Sequence, residues 1–200
     1  MSVAHDLVVL GKLVADTHGW PAAKAFKSYK PTDDDKAMIA NKGADLLRIF
    51  PKLPGACALM SAAFAAHLER DLCAPIHVVA GTLLVEGRPV FGMGQLRDGT
   101  TRFSSGSLDW DGHVWVMIGP WVADISIFRT AFSAYSPQAL ARHVAHHFAP
   151  TTGMMFDRWR HTRQIGFEYV PLYVLSTDQV TGLVRGAHQA IIKGSPDTAV

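Results

Sequence analysis

The chain is poor in cysteine. Of its 200 residues only Cys57 and Cys73 carry a thiol, so a disulfide framework is excluded by count. Geometry also argues against a single bridge between the two. The stretch between them reads as one helix, which at about 1.5 Å per residue separates the sulfurs by roughly 24 Å. A bridge needs Cα atoms within about 7 Å, so each thiol has its own environment. Long apolar runs are also missing: no segment approaches the ~18–20 residues of a membrane span. Residues Met1–Leu10 lack the basic start and small-residue end of a secretory signal, and cytoplasm is the expected location. Charge of one sign is scarce as well. The net charge of +2 and the absence of a basic stripe argue against a nucleic-acid partner. The densest basic run, Arg158, Arg160, His161 and Arg163, is broken by Trp159 and reads as a solvated helix face or loop. Repeats and low-complexity tracts are absent.

What is present is an ordinary globular balance, 48% hydrophobic against 18% charged, enough for one domain with a core. Val3, Leu7, Leu10 and Val14 share the spacing of a helix over 3–15. His18-Gly19-Trp20-Pro21 breaks it, and 22–30 is a short helix or a loop. Thr32 or Asp33 caps a helix over about 34–49, with acidic residues at its positive end and Met38, Leu46, Leu47 and Phe50 as core candidates. Pro51 to Gly55 is a tight loop. Ala56–Asp71 is Ala-rich and strongly helical, and its broad apolar face predicts a helix buried mid-domain.

After Pro75 the period becomes extended. Ile76–Val85 is a β-branched, apolar strand, Glu86 to Pro89 a turn, and Val90–Gly92 a returning strand. Gly94–Asp109 is aperiodic and Gly/Ser/Thr/Asp-rich, a long loop of the kind that is often functional. His113–Ile118 and Trp121–Ile125 flank Gly119-Pro120 as a two-residue hairpin. Ser136–Phe148 reads as a helix with Ser as cap and Pro in the first turn. Phe167–Leu175 is a strand in which Pro171 marks an edge or a bulge, and Thr177–Lys193 is a final helix. Helices, then a sheet of hairpins, then flanking helices make an α+β protein with a buried Cys-bearing helix packed on an antiparallel sheet.

Three residues stand out chemically. Cys57 opens the Ala-rich helix. Free N–H groups and partial positive charge at a helix N-terminus favour a reactive thiolate and can hold a neighbouring oxyanion; the plainer alternative is a buried structural cysteine. His113 begins an apolar strand, and the hairpin places it opposite about residue 126. Asp124 is then its diagonal neighbour, within side-chain reach. A carboxylate inside the apolar run Trp121–Ile125 needs a partner, and an imidazole suits it; otherwise Asp124 faces solvent on an edge. An Asp steadying a His that serves a Cys is the arrangement of nucleophilic acyl transfer.

Ala56-Cys57 at a helix start, then a strand, a loop, Gly112-His113-Val114-Trp115-Val116 and Trp121-Val122-Ala123-Asp124 together resemble the core of the transglutaminase-like/papain-like cysteine superfamily. The likeness runs over residues 55–126. The spacing is similar to small bacterial members, including peptidases that remove leader peptides from lasso precursors. The resemblance implies residues 1–200 as a single transglutaminase-like domain, with Cys57 as nucleophile, His113 as base and Asp124 as orienting residue. It implies no cofactor and no metal, and a peptide or protein substrate handled as a peptidase, amidase or transamidase through a thioester. A catalytically inactive module that binds a peptide in its cleft is the alternative. Trp110, Trp115 and Trp121 cluster near the proposed site, as core packing or as walls of an acyl pocket. The oxyanion-hole side chain of the superfamily has no clear counterpart, Asn41 and Trp20 being the nearest guesses.

Elsewhere, His143, His146 and His147 lie at helical spacing. His143 and His147 could share a metal, but no acidic or thiol ligand near them in sequence completes a site. His161 and His188 read as surface residues, His67 and His77 as core or rim residues. Gly92-Met93-Gly94 lacks the helix and Lys-Ser/Thr pair of a phosphate loop.

Overall fold

The computed structural model describes residues 3–93, 103 and 111–194. The protein is mixed α+β. An antiparallel sheet separates two apolar clusters, and helices cover both. In chain order the elements are α1 (Val3–His18), α2 (Trp20–Ser28), α3 (Asp33–Ile49), α4 (Cys57–Glu69), β1 (Ile76–Val85), β2 (Arg88–Phe91), β3 (His113–Ile118), β4 (Trp121–Asp124), α5 (Ile127–Ala131), α6 (Gln138–His147), β5 (Met155–Arg158), α7 (Trp159–Gln164), β6 (Phe167–Val174) and α8 (Thr177–Gly194). Among the described residues, no helix is long and apolar enough to cross a membrane.

Local chemistry accounts for the boundaries. Thr32 accepts from the Asp35 amide while the Asp35 carboxylate accepts from the Thr32 amide, a capping box that starts α3. Gly119 takes the positive φ (54°) that the primed hairpin turns require at their first central position. The helix α4 is apolar on nearly every face, as a helix inside a core must be, and Ala62, Phe64, Ala65 and Leu68 are buried. It packs between α8 and the sheet.

Strand β1 organises the sheet. One of its edges pairs with β6 through Val79–Val85. The other pairs with β3 through Ile76–Gly81 and with β2 through Leu83–Val85. The end of β2 and the start of β3 therefore meet side by side along β1, which brings Phe91 next to His113. Beyond β3 the sheet continues through β4 to β5. The β1–β6 register shifts between Ala80 and Gly81, opposite Tyr173 and Pro171, on a strand that pairs with β1 alone, in keeping with a proline that marks an edge or a bulge.

The expected strands over 76–85, 113–118 and 121–125 and the helices over 34–49 and 177–193 coincide closely with the observed ones. The second short segment, 22–30, is helical from Trp20. Strand β5 and helices α5 and α7 are additions, each short and paired or packed through tertiary contacts rather than marked by periodicity. The expected loop Gly94–Asp109 and Trp110 lie outside the described residues, apart from Phe103, which is buried.

Candidate functional site

The hairpin register is Val116↔Ala123, Met117↔Val122 and Ile118↔Trp121. Extended by the same rule, it sets His113 opposite residue 126 and Asp124 on the diagonal. The side chains close that diagonal: His113 Nε2 and Asp124 Oδ2 are 2.5 Å apart, with both residues almost wholly buried.

Asp124 is held from several directions. Its Oδ1 accepts from the Ser126 amide, the Ser126 hydroxyl and the Ile127 amide, each at 3.0 Å. Its Oδ2 also accepts from the Tyr169 hydroxyl at 3.1 Å. The first three donors come from the turn into α5; the fourth crosses from β6. Burial by itself would raise the Asp124 carboxyl, but the His113 charge and hydrogen bond and the Ser126 donors outweigh it and hold it below the usual carboxylate range. Burial and the Asp124 charge push the Tyr169 hydroxyl well above its ordinary value, so it stays a donor.

Burial likewise works against a charged His113. The Asp124 carboxylate, and next the neighbouring Cys57 sulfur, reverse that and raise His113 to about 10. Because Nε2 is engaged by Asp124, Nδ1 is the ring atom left to meet the sulfur. The imidazole lies nearly parallel to Phe91, with centroids 5.3 Å apart, and is flanked by Trp115 and Tyr169. Its plane is thus set by packing as well as by hydrogen bonds.

The sulfur is placed by the helix. Cys57 is the first residue of α4, and the Ala56 cap position offers no side-chain hydrogen bond. The first-turn amides therefore carry no side-chain cap. One turn on, on the same helix face, the buried Ser61 hydroxyl donates to the Val114 carbonyl at 2.9 Å. That bond ties the Cys57 helix to the residue following His113 and fixes the two in register. Cys57 is half-buried and free, and Cys73 is exposed and free.

Cys57 and His113 open onto a cavity of about 840 Å³. Its walls are mostly apolar, with Leu53, Pro54, Phe91, Phe103, Phe128 and Phe132 among them. Arg129 also lines it, but its guanidinium donates to the Leu47, Phe50 and Pro51 carbonyls. It anchors the loop that leads into Cys57.

The structure thus brings Cys57, His113 and Asp124 together. Trp115 and Trp121 do not line this cavity, contrary to an acyl-pocket role. Trp115 shares the His113 face of β3 and is sealed in the core against Tyr169, because residues two apart on a strand point the same way. Trp121 stacks on Phe156 beneath Lys36 and Arg158. Trp110 lies outside the described residues. Asn41 and Trp20 are exposed and off the cavity. His77 is buried away from the cavity beside His18 and Phe26. Burial first, then the His18 charge, lowers it to about 4.

Ser61, Phe91, Ser126 and Tyr169 are site residues that sequence reasoning missed. Ser126 had a signal, a hydroxyl two residues after an Asp at a helix start. The others depend on pairing between distant elements. The histidine helix differs from expectation too: Glu86, distant in sequence, does reach His143. Comparison with known protein families finds no matching family model, and comparisons with curated proteins and with solved structures find no match.

Proposed function

We propose that the protein is a cysteine-nucleophile acyl-transfer enzyme with a transglutaminase-like core, acting on a peptide or carboxamide bond. One observation carries this reading: a half-buried thiol at the head of an uncapped 13-residue helix meets an imidazole that a fully buried carboxylate holds at 2.5 Å. A purely structural role would not require a thiol and an imidazole on the wall of one apolar cavity, with the buried carboxylate behind them satisfied by four further donors.

In this mechanism the Cys57 sulfur attacks the substrate carbonyl carbon and forms a C–S bond. Negative charge develops on the carbonyl oxygen, where the first-turn amides of α4 can donate to it. Collapse breaks the C–N bond, and the proton on His113 passes to the departing amine, leaving a thioester. Water, or a second amine, then attacks the thioester carbon while His113 takes its proton, and Cys57 is released. Asp124 keeps the ring oriented and stabilises the imidazolium. The raised His113 favours a resting imidazolium beside the sulfur. The apolar walls suit a peptide that presents hydrophobic side chains next to the reacting bond.

A peptidyl electrophile with a hydrophobic residue beside the warhead tests this. Intact-mass analysis and peptide mapping should find one adduct, on Cys57 and not on Cys73. Cys57→Ala should lose both the adduct and amide turnover while keeping the fold. Equal, slow labelling of the two thiols would overturn the reading and leave a peptide-binding module as the better account.

A further inference from the structure

A second histidine–carboxylate group lies outside the proposed site, where α6 meets the turn between β1 and β2. We propose that Glu86, His143 and His147 form a binding site for a divalent metal ion of the zinc class, which pins α6 to that turn. Their ligand atoms all lie within 4.8 Å of one another, the one such group of three among the described residues.

The protons support this. His143 is buried, and its Nε2 is 2.9 Å from the Ile165 carbonyl oxygen. That oxygen can only accept, so Nε2 carries the hydrogen. In a neutral ring, Nδ1 then presents a lone pair, yet it faces Glu86 Oε1 at 3.1 Å, and a carboxylate also presents lone pairs. Something positive belongs between them, a second proton or a metal ion. Donation of the far ring N–H to a backbone carbonyl is the support that metal-ligating histidines characteristically have.

His147 favours the metal over the proton. It sits one helical turn from His143, with ring centroids 4.6 Å apart, and supplies a further nitrogen that a simple ion pair has no use for. Tetrahedral zinc with bonds of about 2.0–2.1 Å separates its donors by roughly 3.3 Å, close to the 3.1 Å already present between His143 and Glu86. Glu86 and His147 are exposed and free to turn inward, while His143 is clamped between Phe167 and Phe148 and against Gly166. His147 also ends α6, where the helix dipole favours a cation. Three protein ligands leave a fourth position for water.

The test uses the full-length, tag-free chain, treated with chelator and with both thiols blocked by iodoacetamide so that Cys57 and Cys73 cannot compete. Calorimetric titration with zinc chloride should show one equivalent bound. His147→Ala and Glu86→Gln should each weaken binding by more than the roughly 10–100-fold that losing an outer-shell support costs. Zinc should raise the melting temperature of the parent protein and not of the variants. Cobalt should give a tetrahedral visible spectrum that both variants lose. Absence of stoichiometric uptake would overturn the proposal in favour of a proton between His143 and Glu86. Uptake unchanged in both variants would overturn it too, by placing the metal elsewhere. Because neither residue belongs to the Cys57 site, labelling of unblocked Cys57 by the electrophile should proceed at the parent rate in both variants.

Discussion

Among the described residues, two buried histidines face carboxylates, and they do so in opposite settings. His113 and Asp124 are enclosed, with side chains 1% and 0% exposed, whereas His143 is enclosed but Glu86 is 66% exposed. Asp124 is surrounded by fixed donors from the α5 turn and from β6. Glu86 projects from a turn in which its own backbone takes a positive φ of 50°. An enclosed carboxylate with every lone pair engaged dictates one protonation state and one ring orientation. An open one keeps its solvent shell and can exchange a proton for a cation. The first arrangement suits a ring that must stay aimed at a sulfur; the second suits a reversible ligand.

The sharpest way to break this contrast is to neutralise the enclosed carboxylate. Asp124→Asn leaves a buried His113 without its counter-charge and should cost about 3–5 kcal/mol of stability, read by urea denaturation. In the proposed mechanism it should also slow electrophile capture or turnover by on the order of 10⁴-fold. Tyr169→Phe keeps the ring packing and removes one hydrogen bond to a charged acceptor. A loss of about 1.5–3 kcal/mol is expected, with a smaller fall in reactivity; an unchanged denaturation midpoint would show that the hydroxyl does not hold Asp124.

The pH dependence sharpens the same contrast. His113 is raised from 6.5 to about 10, so its contribution to stability is complete below pH 6.5 and is lost as pH climbs through 10. Asp124 is lowered from 3.8, so its contribution is complete above about that pH and is lost as acid protonates it. The pair therefore contributes fully between roughly pH 4 and 6.5 and progressively less toward alkaline pH. His77, lowered to about 4, acts in the other direction between pH 6.5 and 4. The informative quantity is thus the stability difference between the parent protein and Asp124→Asn at pH 6, 8 and 10, which should shrink as pH rises. The smallest effect belongs to the exposed pair. Without metal, Glu86→Gln should alter stability by no more than about 0.5 kcal/mol, and a larger loss would show that Glu86 is more buried in its interactions than its exposure suggests.

The candidate site was legible where its geometry is local. Gly119-Pro120 marks a two-residue turn, and a two-residue turn sets the register that carries Asp124 to the His113 diagonal. Cys57 at the head of an Ala-rich helix was equally visible. The tryptophans misled because proximity in sequence does not reveal the face of a strand: Trp115 lies beneath His113 and Trp121 lies outside the cavity. Tyr169 is 45 residues from Asp124, Ser61 is 53 from Val114 and His143 is 57 from Glu86. No spacing rule spans such distances, since each depends on how helices and strands distant in sequence pack against one another.

By itself the sequence determined the longer elements and their chemistry. Apolar periodicity, the Thr32 cap, the turn glycines and the Ala-rich run specify an α+β chain with a thiol at a helix head and an imidazole and a carboxylate on one hairpin. These are contacts among near neighbours, where backbone propensity and turn geometry leave few choices. Only the tertiary structure decided that the helix head meets the hairpin, that Tyr169 closes over Asp124, and that Glu86 reaches the histidine helix. Those meetings follow from burying two apolar clusters on opposite faces of one sheet, a global packing problem that no local segment can solve alone.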